Sequence, residues 1–77
     1  MPKKNCIGAK NKVKRLKNEA ERINQEIQTC QLIVDTNPSN TLAKEKLKQL
    51  YAQYKQKKAE LDVAEAELAA CEAANYG

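Results

Sequence analysis

The chain has 77 residues, 42% hydrophobic and 31% charged, with no Phe, Trp or His and a net charge of +4. That length allows one small domain, whose core has to come from aliphatic side chains and three Tyr. With no His, no Gly-rich phosphate loop and no C-x-x-C spacing among Cys6, Cys30 and Cys71, the common zinc sites and nucleophile–base chemistries are excluded. A non-enzymatic chain without cofactor or metal is expected.

Residues 1–17 carry seven Lys or Arg and no acid, and they contain no apolar stretch of the kind a secretory signal needs. Cytoplasmic synthesis is the expectation. The apolar runs, such as residues 32–34, fall far short of the roughly 20 residues that span a bilayer, so no membrane partner is expected.

From there the apolar period decides the reading. Cys6, Ala9, Val13, Leu16, Ala20, Ile23, Ile27, Cys30 and Val34 alternate steps of three and four residues. That is a heptad seam and predicts a first helix over about 5–35. Residues 35–41 read Asp-Thr-Asn-Pro-Ser-Asn-Thr. Pro38 pushes Asn37 out of the helical region, and either Asn37 or Asn40 serves as cap for a second helix. A turn over about 36–40 is expected. The second seam is Ala43, Leu47, Leu50, Tyr54, Lys57, Leu61, Ala64, Leu68 and Cys71, with the same alternating steps. It predicts a second helix over about 41–75, closed by Asn75, Tyr76 and Gly77.

Folded back, the seams register so that residue n faces residue 77 − n. The expected fold is therefore all-α, an antiparallel two-helix coiled-coil hairpin over 1–77, completed by oligomerisation or by docking on a partner because its core is thin. Charge agrees. The basic start of the chain meets residues 59–77, which carry five acids and no base, and the net-acidic 18–36 meets the net-basic 37–58. Flanking pairs result: Lys3 with Glu72, Lys10 with Glu65, Lys12 with Glu67. Such exposed pairs set orientation more than stability, at well under about 1 kcal/mol each.

Four groups of residues are candidates for contacts. Cys6 and Cys71 share the last layer and sit within reach of a disulfide, or remain two thiols in a reducing cytosol. Lys57, the one charged seam residue, faces Ala20 and has Glu19 and Glu60 beside it, a polar layer suited to fixing register or simply a loosely packed one. Ala52, Ala59, Ala66 and Ala73, flanked by Val63 and Ala70, line the outer face of the second helix. They suit close approach of another helix, or reflect only the helix propensity of Ala. Leu32, Ile33 and Leu42 lie near the turn and either close the tip as a local cluster or meet a partner. Cys30 faces Leu47 as a core residue.

The lysines of 3–17 and 44–58 read first as a solvated face salt-bridged to the opposite helix. The function expected is a structural, assembly or protein-interaction module, self-associating or docked on a larger scaffold; a phage or viral particle component would suit so short a chain. The alternative is a small basic nucleic-acid-binding accessory protein, with Tyr51 and Tyr76 left for base stacking.

Overall fold

The computed structural model describes residues 6–74. They form two helices, α1 (Ile7–Thr36) and α2 (Thr41–Ala74), packed antiparallel as a hairpin, with no strand among the described residues. The expected start of the first helix at residue 5, the closing residues 75–77 with Tyr76, and the Lys3–Glu72 pair lie outside the described residues.

α1 starts weakly. Cys6 stands at its N-cap without a side-chain cap bond, and its first turn holds no acid. Gly8 lies within that turn, with nothing within 4 Å of the position a Cβ would take. At the other end the helix is well terminated. The Asn37 N–H donates to the Ile33 carbonyl at 2.9 Å, and the Thr36 hydroxyl donates to the Leu32 carbonyl. Asn37 has φ −136° and ψ 80°, off the helical region as the following proline requires.

The reversal is a single tight turn. The Asn40 N–H donates to the Asn37 carbonyl at 3.0 Å across Pro38 and Ser39, and the Ser39 hydroxyl donates to Asn37 Oδ1 at 2.8 Å. Of the two caps the sequence allows, Asn40 is the one used: its Oδ1 accepts the Ala43 N–H at 3.1 Å. A side-chain cap of this kind contributes about 1 kcal/mol.

The core is one seam deep. Every residue of the two heptad seams is buried or half-buried, and off the seams only Glu19, Asn24, Gln31 and Asn40 are less than exposed among the described residues. The core divides into two clusters. Toward the open end, Val13, Leu16, Leu61 and Ala64 pack together with Leu68 against them. Toward the turn, Ile27, Cys30, Ala43 and Leu50 pack with Ile23, Val34, Leu47 and Tyr54. The result is a rod of 63 × 14 × 13 Å. Its radius of gyration is 17.7 Å, against about 11–12 Å for a compact domain of this length.

Candidate functional site

Cys6 and Cys71 are joined by a disulfide at the open end, with a Cα–Cα distance of 6.1 Å and a sequence separation of 65. This bond ties down the end of α1 where Cys6 makes no side-chain cap bond. The third cysteine is different. Cys30 is buried, and its thiol donates to the Ala43 carbonyl at 3.1 Å, binding the last turns of α1 to the first turn of α2.

Between the two core clusters lies the Lys57 layer. Lys57 Nζ is 2.9 Å from a Glu19 carboxylate oxygen and 3.4 Å from one of Glu60. Ala20, 5% exposed, leaves room for the lysine stem to cross the seam. The hydrogen bond with Lys57 holds the Glu19 carboxyl below its usual 4.5, and the same bond, helped by Glu60, raises the Lys57 ammonium above 10.5.

The seam gives the hairpin two flanks. On one, Lys12, Glu19, Glu26 and Ile33 of α1 stand opposite Glu67, Glu60, Gln53 and Lys46 of α2. On the other, Lys10, Lys17, Asn24 and Gln31 stand opposite Glu65, Lys58, Tyr51 and Lys44. The first flank is ion-paired. Lys12 meets Glu67 at 3.7 Å, Arg15 meets Glu19 at 3.9 Å, and the Lys57 pairs lie on the same side. On the second flank the expected Lys10–Glu65 contact does not close to 4 Å, and no ion pair joins any of its described residues. Sequence reasoning credits both flanks with pairing. The signal it misses is a spacing: Lys44, Lys48, Tyr51, Lys55 and Lys58 also advance by alternating steps of four and three.

The tip residues, read either as a local cluster or as a surface for a partner, stand open to water. Leu32, Ile33 and Leu42 are 68%, 45% and 83% exposed. The reason is helical geometry: residues 32 and 33 point about 100° apart, so each opens on a different flank. Leu32 lies with Asn24, Ile27 and Tyr51 around one groove. Ile33 and Leu42 border another, floored by Cys30 and Ala43 and rimmed by Arg22, Glu26 and Lys46. Along the outer face of α2, Ala52, Ala59, Val63, Ala66, Ala70 and Ala73 are all exposed. Ala59 and Val63 also border a shallow groove with Leu16, Lys12 and Arg15.

No group of three potential metal-ligating side chains occurs among the described residues, and no helix among them is long and apolar enough to cross a membrane. Compared with models of known protein families, with curated proteins and with solved structures, the chain matches none.

Proposed function

We propose that the protein is a non-enzymatic assembly module that works by helix packing, taking the apolar face of another helix into the groove at its tip. The observation that carries this reading is the pairing of exposed Ile33 and Leu42 over buried Cys30 and Ala43. Two large aliphatic side chains facing water across a floor of small residues form a socket for an apolar ridge. The thin core supports it. The chain exposes 6115 Å², where a compact monomer of its mass would expose about 4,700 Å². Association with a second copy, or docking on a larger scaffold, would cover part of that excess.

Sedimentation equilibrium over a range of concentrations tests the self-associating form. The expected result is reversible oligomerisation that is abolished by Ile33→Lys with Leu42→Lys, while circular dichroism keeps its helical signal. A cooperatively melting monomer at every concentration would remove self-assembly, and a scaffold would then have to be sought as the partner.

A further inference from the structure

We propose that the flank carrying Lys44, Lys48, Tyr51, Lys55 and Lys58, continued by Lys17, Lys14 and Lys10, binds the backbone of a single-stranded nucleic acid. The first five residues advance by four, three, four and three along α2, which puts them on one stripe of the helix. All eight are exposed. The antiparallel register sets Lys17 across from Lys58, so the stripe passes from α2 to α1 and runs on through Lys14 and Lys10. At 1.5 Å per residue it extends roughly 35 Å along the hairpin.

What makes this face different from a generic solvated one is where the carboxylates go. The four ion pairs of the described residues all involve the opposite flank and the Lys57 layer. None of the seven lysines on this flank has a carboxylate within 4 Å. Of the acids that share the face, Asp62, Glu65 and Glu72 lie toward the open end and Glu21 at mid-length, while Asp35, which accepts a hydrogen bond from Gln31 at 2.9 Å, borders the Tyr51 groove near the turn. Over residues 44–58 the one acid is Glu45, in line with Ala52 on the outer face. The densest unpaired charge therefore lies along the tip half of α2.

Tyr51 stands in the middle of that stretch, 52% exposed, beside Asn24, Gln31 and Leu32. A line of ammonium groups matches a line of phosphates, and an aromatic ring set among them stacks on an unpaired base. A duplex hides its base faces, which is why the single strand is favoured. A lipid surface would call for several apolar side chains among the lysines, and between Lys44 and Lys17 this flank offers just Tyr51 and Leu32 among the large exposed ones.

The test is a fluorescence-anisotropy titration of the oxidised full chain with a labelled oligothymidylate about the length of the stripe, at two salt concentrations. Binding is expected, with log K falling against log salt by about 0.7 per phosphate contacted, a slope of roughly −3 to −5. Lys48→Gln, Lys55→Gln and Lys58→Gln together should weaken it at least tenfold. Arg15→Gln, Arg22→Gln and Lys46→Gln, the same charge removed from the other flank, should weaken it far less. Tyr51→Ala should cost about five- to a hundredfold with the salt slope unchanged. The proposal is overturned by absence of binding at low salt, by equal losses in the two triple variants, or by no effect of Tyr51→Ala. Binding duplex of the same length, or phosphatidylserine vesicles, more tightly than the single strand overturns it equally. This outcome is independent of the tip groove, whose variants leave the stripe intact.

Discussion

Toward the turn, Ile27, Leu50, Leu47, Ile23 and Tyr54 give the seam large side chains, the Asn40 cap closes the first turn of α2, and the Cys30 thiol binds α1 to it. Toward the open end, Val13 and Ala64 shrink the layers, Gly8 weakens the first turn of α1, and the Cys6 side chain at its N-cap makes no cap bond. One half is held by packing and local hydrogen bonds. The other is held by a covalent bond between residues 65 apart. The difference teaches that a uniform heptad pattern does not imply uniform stability. A seam that ends in small layers, Val13 with Ala64 and Ala9 with Leu68, needs closure at that far end, because loop entropy is largest there.

The largest way to break this comparison is to open the disulfide. Closing a loop of 65 residues restricts the unfolded chain by about 4 kcal/mol. Reduction, or Cys6→Ser with Cys71→Ser, should then lower Tm by roughly 15–30 °C. Amide hydrogen exchange should accelerate first in the open half. Equal acceleration in both halves would show that they melt as one unit, and the contrast between them would be lost.

Truncation of the core sharpens it. Leu50→Ala empties a site among Ile27, Leu47 and Tyr54 and should cost about 3 kcal/mol in urea unfolding of the oxidised protein. Leu61→Ala, among Val13, Leu16 and Ala64, should cost nearer to about 2 kcal/mol, since smaller neighbours close on the space more easily. A larger cost at Leu61 would reverse the ranking of the two halves.

The smallest effect lies at the boundary between them. Glu19 titrates below its usual 4.5 in the folded state because Lys57 donates to it. Its contribution is therefore fully present above pH 4.5 and is lost as pH falls through the lowered folded value. Lys57, raised above 10.5, contributes below that pH and loses its contribution as pH rises through the folded value. Glu19→Gln should lower Tm slightly at neutrality, as befits a partly exposed pair, and the difference should vanish as pH falls below 4.5, flattening the acid limb of a Tm-against-pH curve. An unchanged acid limb would show that this ion pair does not couple the halves.

Much of the molecule is legible in the residues. The alternating steps of three and four mark the buried stripe because an α-helix returns to one face at that spacing, and each seam residue from Cys6 to Cys71 is buried or half-buried. Pro38 marks the turn because it cannot extend a helix from Asn37. The choice of cap is not legible. Asn37 and Asn40 have the same chemistry, and only the path of the turn sets Asn40 against the Ala43 N–H.

The surface is the harder part. Leu32, Ile33 and Leu42 are close in sequence and apolar, which suggests mutual packing. Once α1 and α2 are set side by side, the rotation per residue sends Leu32 to one flank and brings Ile33 and Leu42 to the other. Likewise, the opposed charge blocks fix the antiparallel direction but not which lysines find carboxylates. A block average cannot separate flanks that differ by one or two residues in a heptad.

The sequence by itself determined two helices, one turn and the shared seam, because those come from periodicity and from proline, which act within a few residues. The tertiary structure alone decided that the ion pairs form on one flank, through Glu19, Glu60 and Glu67, while the line of lysines around Tyr51 makes none on the other. The reason is that ion pairs and grooves depend on the rotation of each helix about its axis once packed, a quantity that no single helix carries.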